Sequence, residues 1–125
     1  MILDTNALSA VADADSRIAA RWSEARQISI PVIVLGEYRY GIARSRRRKE
    51  YETWLEINLP SCNVLGIDKE TAASYAQIRV ELKQAGTPIP SNDLWIAALC
   101  RQHGMTLLSR DRHFDAVDGV RRVEW

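Results

Sequence analysis

The sequence predicts an α/β fold, a three-layer sandwich on a mainly parallel central sheet, and three observations carry the prediction. Apolar runs of strand length alternate with helical patterns along the whole chain. No repeat, low-complexity tract or linker interrupts that alternation. The length of 125 residues, with 46% hydrophobic content, suits one domain around one core. Residues 1–125 are therefore read as a single domain.

Each element has its own local reason. "MILD" is a short apolar run that ends in an acid, and it reads as the first strand. "ALSAVADADSRIAARWSEA" has helical spacing at Ile18, Trp22 and Ala25. "ISIPVIV" is rich in β-branched residues and reads as the second strand. "GEYRYGIARSRRRKEYETWLEIN" is helical in composition, and "CNVLGI" supplies a third strand. Asp68 is placed to cap a long helix, "KETAASYAQIRVELKQA", which Gly86 terminates. "GTPIPSN" is a stiff loop, after which Ser91 or Asn92 is placed to cap "DLWIAALCRQH", a helix apolar nearly all round and so expected to be buried. "MTLLS" and "VRRVEW" read as the fourth and fifth strands, joined by a turn containing "RDRHFDAVDG". Trp22, Trp54 and Trp95 fall on apolar helical stretches and are assigned to packing rather than to base stacking.

Several function classes are disfavoured at once. The longest apolar stretches, "LWIAALC" and "PVIVL", fall far short of the roughly 18 residues that a membrane span needs. No signal peptide precedes "MILD". Cys62 and Cys100 lie far apart without metal-type spacing, which fits a reduced cytoplasmic protein. The net charge of +1 conceals 17 basic residues against 16 acids. Arg44, Arg46, Arg47, Arg48 and Lys49 form one basic run, and Arg110, Arg112, Arg121 and Arg122 a looser one. Guanidinium forks suit phosphates, although such runs are more often solvated helix faces.

Parallel sheets place their functional crevice at the carboxyl ends of the strands. Four acids are predicted to meet there: Asp4 ends the first strand, Glu37 follows the second, Asp93 opens the buried helix, and Asp111 follows the fourth strand. Asp115, in the same turn as Asp111, is a further candidate. Carboxylates gathered at one edge resist ionising together unless a cation neutralises them. All-oxygen donors suit Mg²⁺ or Mn²⁺. Zinc is disfavoured, because His103 and His113 stand without a histidine or cysteine pair at ligand spacing. Thr5, Asn6 and Ser109 are small polar neighbours suited to orienting a carboxylate, a water or a phosphate oxygen. Arg39, Arg44, Arg110 and Arg112 are candidates for drawing a polyanion to the site, with Arg46, Arg47 and Arg48 as further candidates for phosphate contact. Taken singly, most of these acids have ordinary explanations as helix-start or turn residues; Asp4 is the hardest to explain away, since a buried strand end seldom carries an unpartnered charge.

The blocks "ILDTN", "VIVLGEYRYGI", "IPSNDLWIAA" and "LLSRDRHFDAVDGVRRVEW", in this order and spacing, resemble a PIN domain of the VapC toxin type. The resemblance spans essentially the whole chain. It implies endonucleolytic hydrolysis of RNA to 5′-phosphate and 3′-hydroxyl ends, one or two Mg²⁺ or Mn²⁺ ions held by Asp4, Glu37, Asp93 and Asp111, and a second-tier metal role for Asp115. It also implies a homodimer and a small antitoxin protein as partner of a toxin. Ser109 stands where many relatives have threonine, which keeps the hydroxyl. Rival readings are weaker: a haloacid-dehalogenase-like phosphohydrolase wants a second Asp where Asn6 stands, and a phosphoacceptor receiver domain wants paired acids after the first strand. A non-catalytic RNA-binding or partner-binding module is disfavoured because every acid of the motif is present.

Overall fold

The central strand is β1, Ile2–Leu3, and its residues are fully buried because neighbours lie on both edges and helices on both faces. A computed structural model describes residues 1–125. β1 pairs in parallel with β2 (Ser29–Pro31) on one side and with β4 (Leu107–Leu108) on the other. β3 (Asn63–Leu65) and β5 (Arg122–Val123) complete an all-parallel sheet of order β3-β2-β1-β4-β5. Doubly covered parallel strands read as unbroken apolar runs rather than alternating ones, which accounts for "MIL" and "TLL". The edge strand β3 leaves Asn63 and Val64 exposed.

The order reverses at β1. The chain moves outward through β2 to β3, then returns across the sheet to β4 and β5. Right-handed crossovers therefore set α1 (Thr5–Ala12), α2 (Ser16–Glu24), α3 (Val32–Ile42) and α4 (Arg48–Asn58) on one face, and α5 (Lys69–Ala85) and α6 (Ser91–His103) on the other. Phe114, Leu99, Ile96, Ile78 and Leu55 are among the fully buried side chains that fill the layers. No helix is long and apolar enough to cross a membrane.

Three local expectations are corrected. The stretch read as one helical segment after β1 is two helices, because Ala14 adopts a left-handed φ of 56° and Asp15 starts α2 by accepting from the Arg17 amide at 2.9 Å. "PVIV" is not strand beyond Pro31: the imide cannot donate to a ladder, so the chain turns at Pro31 and buries Val34, Leu35, Tyr38 and Ile42 at helical spacing. α6 begins at Ser91 after Pro90, with no side-chain cap from Ser91 or Asn92.

The capping of α5 agrees with the sequence. Asp68 Oδ1 accepts from the Thr71 amide at 3.0 Å while Thr71 Oγ1 accepts from the Asp68 amide at 3.1 Å, and Gly86 closes the helix at φ 73°. Gln102 on α6 joins this box, donating to Asp68 Oδ1 at 3.0 Å and accepting from Thr71 Oγ1 at 2.5 Å. The cap thus ties α5 to α6, the helix that carries Asp93.

These donors hold the Asp68 carboxyl down at about 2. A depressed carboxylate stabilises the fold at pH values above its unfolded pKa of about 3.9, and the contribution disappears as pH falls through the folded value. Asp68→Ala is expected to melt below wild type at neutral pH, with the gap closing between about pH 4 and about pH 2. Thermal melts followed by circular dichroism across that range check it; a gap independent of pH would mean that the charge of Asp68 contributes nothing.

Candidate metal centre and active site

Asp4 leaves β1 directly and becomes the N-cap of α1, its Oδ1 accepting from the Ala7 amide at 2.8 Å. The residue is only 4% exposed. Burial is the largest influence on its carboxyl and raises its pKa; the Ser109 hydroxyl and the Ala7 amide oppose this, and Asp111 and Glu37 add to it. Thus the acid is anchored by the Ala7 amide, with the Ser109 hydroxyl beside it, and left short of compensation for its charge.

The other acids arrive from separate elements. α3 carries Glu37, half-buried, between the buried Val34 and Tyr38. Asp93 stands in the first turn of α6, where the positive end of the helix dipole favours it. Burial again leads in raising its pKa, His113 opposes, and Asp111 and Glu37 add to the rise. Asp111 precedes the 3-10 turn Arg112–Ala116, and its amide donates to Ser109 Oγ at 3.0 Å, tightening the exit from β4.

Asp4, Thr5, Asn6, Glu37, Asp93 and Asp111 together line a pocket of about 220 Å³ that contains no apolar side chain. No lysine or arginine enters the lining to balance the four carboxylates. Thr5 Oγ1 is buried there without a hydrogen-bond partner. Oxygen donors at the carboxyl end of the sheet, uncompensated charge and an orphan hydroxyl fit a hard divalent cation with its waters. A larger hollow of about 390 Å³ lies at the amino end of the sheet against Met1, Gln27 and Thr106, but it gathers no acids beyond Glu24.

His113 is the site residue that sequence reasoning missed. Its Nε2 lies 2.9 Å from Asp93 Oδ2, and ligand atoms of Asp93, Asp111 and His113 fall within 4.8 Å of one another. The available signal was its position two residues after Asp111; a lone histidine in a turn has no spacing pattern, so only packing of the 3-10 turn against α6 makes it visible. His103 is exposed near the far end of α6.

Other candidates stand elsewhere. Asp115 lies outside the pocket, because Arg122 grips both of its carboxylate oxygens at 2.8 Å. The same guanidinium reaches Ser109 O and Glu124, so this group braces the end of β4. Arg47 pairs with Glu50 and Arg48 with Glu52, so two of the five bases in that run already have carboxylate partners. Arg110 lies over the Trp125 ring at 4.4 Å from the centroid and donates to the Trp125 carbonyl, and Arg112 lies 3.8 Å from Glu124. Arg39, Arg44 and Arg46 are exposed with no carboxylate at ion-pair distance.

Comparison with known proteins agrees with this geometry. The PIN domain family matches residues 1–120. Ribonuclease VapC5 of Mycobacterium tuberculosis is 30% identical over 101 residues, covering 78% of this chain and 74% of the relative. VapC ribonuclease Y4jK of Sinorhizobium fredii is 31% identical over 121 residues, covering 89% of this chain and 86% of the relative. Among solved structures, DNA-bound VapBC from Salmonella typhimurium superposes with a TM-score of 0.88 at 28% identity, covering 99% of this chain and 96% of that one. With its family match over residues 1–120, its all-parallel sheet and its acidic pocket at the carboxyl edge, the chain belongs to the PIN domain family and, within it, to the VapC group.

Proposed function

We infer that this chain is a divalent-metal-dependent endoribonuclease, the toxin of a toxin-antitoxin pair. The observation that carries the reading is the convergence of Asp4, Glu37, Asp93 and Asp111, from four separate stretches of chain, on one pocket without a basic residue. The relatives named above as ribonucleases support the reaction class. The matched VapBC structure and the sequence resemblance support an antitoxin partner, and the resemblance supports a homodimer.

Asp4, Glu37, Asp93 and Asp111 would hold Mg²⁺ or Mn²⁺. Such an ion, when bound, lowers the pKa of water and offsets charge gathering on phosphate and leaving oxygen. The chain's own residues do the rest. Ala7 and Ser109 orient the Asp4 carboxylate, and Thr5 and Asn6 offer polar atoms to a phosphate oxygen or a water. Asp93 Oδ2, beside His113 Nε2, takes the proton of the attacking water. Water adds to phosphorus, the P–O3′ bond breaks, the phosphate stays on the 5′ side and a proton returns to the departing 3′ oxygen. Asp115 has a bracing role through Arg122 rather than a metal-binding one.

RNA cleavage is expected to require Mg²⁺ or Mn²⁺ and to stop in excess chelator. Asp93→Asn supplies the stricter check. A raised carboxyl pKa means a stabilising contribution present below the unfolded value of about 3.9 and lost as pH rises through the folded one. Removing this carboxyl should therefore leave the metal-free protein at neutral pH equally or more stable, abolish most of the Mn²⁺-induced rise in Tm and collapse cleavage. Melts with and without Mn²⁺, beside an RNA cleavage assay, read all three; a mutant that responds to Mn²⁺ like wild type and still cuts RNA removes Asp93 from the site.

The arginine run yields a second expectation. Arg46→Gln should reduce the slope of log Kd against log salt for single-stranded RNA by on the order of 0.7, the value for one neutralised phosphate. Arg47→Gln and Arg48→Gln should change it less, because Glu50 and Glu52 already occupy those guanidiniums. Fluorescence anisotropy over a salt series measures the three slopes, and three equal changes would contradict the pairing.

A further inference from the structure

A second cleft, of about 260 Å³, adjoins the acidic pocket and shares Thr5 and Glu37 with it. It runs between α1, α3 and α4 and is also lined by Asp13, Tyr38, Gly41 and Tyr51. Tyr38 is 3% exposed, and its hydroxyl has no hydrogen-bond partner. A buried hydroxyl left unpaired is costly and calls for a ligand. Asp13 and Tyr51 stand near enough to the Tyr38 hydroxyl to push its pKa further up, after burial. Asp13 Oδ1 accepts from the Tyr51 hydroxyl at 2.5 Å, and Arg47 Nη1 donates to that same hydroxyl at 3.1 Å. This relay fixes the carboxylate and leaves its Oδ2 without a protein donor. At Gly41, which lines the cleft, a side-chain carbon would meet nothing within 4 Å, so an alanine methyl there would occupy open space without a clash.

The geometry points to this cleft as a subsite for one guanine base of the RNA, next to the phosphate that is cut, with Asp13 and Tyr38 reading its edge. The inference rests on the ribonuclease reading above. The cleft is smaller than the roughly 300–1,000 Å³ that drug-sized ligands occupy, and a single base suits it. Guanine presents adjacent N1–H and N2–H₂ donors, which the free Oδ2 of Asp13 and the second lone pair of its Oδ1 can accept side by side, and the neighbouring O6, which a phenol hydroxyl can serve as donor. Adenine reverses the donor at N1 and lacks O6, and uracil offers one donor where guanine offers two. The shared Thr5 and Glu37 put the base beside the acids that act on its phosphate.

The test uses short single-stranded RNAs carrying one guanine, adenine or inosine at a single position in an otherwise uridine sequence. Binding is read by anisotropy in chelator, and cleavage separately in Mn²⁺. Wild type is expected to prefer guanine at least about tenfold over adenine, with inosine, which lacks the N2 amino group, in between. Tyr38→Phe removes one orphan oxygen, so it should fold with an unchanged or higher Tm while the guanine preference falls severalfold. Gly41→Ala should also melt no lower, because alanine is the better helix former, and yet bind the guanine RNA more weakly. Binding without any base preference, or a preference untouched in both variants, overturns the subsite even if RNA is cut. A guanine preference in binding that Tyr38→Phe reduces, with no cleavage in Mn²⁺, supports the subsite and overturns the ribonuclease reading instead; absence of both binding and cleavage overturns both.

Discussion

The functional edge depends on placing the Asp4 carboxyl where solvent scarcely reaches it. Its carboxylate leaves the central strand into a corner enclosed by α1 and the exit of β4, with the Ala7 amide and the Ser109 hydroxyl as its partners. Those donors orient the charge but do not cancel it. Asp111 and Glu37 raise its cost further. A fold that optimised only its own stability would place an apolar residue or a serine at this position, so the arrangement makes sense as a site built to be completed by a positive charge.

The topology explains why the acids meet at all. With β1 in the middle and the chain reversing direction there, the carboxyl ends of β1 and β4 lie side by side, and the crossovers bring α3 and α6 over the same edge from opposite faces. Each acid then sits at an element boundary or first turn, except Glu37, which needs a whole helix behind it. The backbone placing Asp93 is itself stiff: Gln102 binds α6 to the capping box of α5, while Pro88 and Pro90 restrict the loop before it. The placement of Asp93 is thus set by interactions well away from the pocket.

How much of this was legible in the sequence varies by physical cause. Asp4, Asp93 and Asp111 follow apolar runs or precede a buried helix, so local pattern alone puts them at the right edge, and the α5 cap was equally plain from Asp68 and Gly86. The β2 to α3 transition was not, because Val32 and Ile33 have strand propensity, and burial of Val34, Leu35 and Tyr38 on one helical face overrides it. Nor could spacing show that Arg122 grips the Asp115 carboxylate outside the acidic pocket, or that His113 comes within 2.9 Å of Asp93; both depend on how a short 3-10 turn folds back. The basic run misled in a different way, since charge counted along the chain ignores the acids one turn later, Glu50 and Glu52, that answer Arg47 and Arg48.

Under the two proposals, reaction class and target choice fall to different parts of the molecule. On the proposed reading, four carboxylates and a cation would recognise what every RNA linkage has in common, a phosphate flanked by oxygens, and would carry no information about the bases around it. Discrimination requires groups that meet base edges, held as rigidly as the acids. The break between α1 and α2 would supply such a place under the subsite proposal: it ends α1 at Asp13, directs that carboxylate toward α4, and lets Tyr51 and Arg47 fix it there. A continuous helix through Ala14 would keep the acids and lose this wall. That the chain instead accepts a left-handed alanine at the break, at a conformational cost that glycine would not incur, fits a segment positioned for recognition rather than for stability.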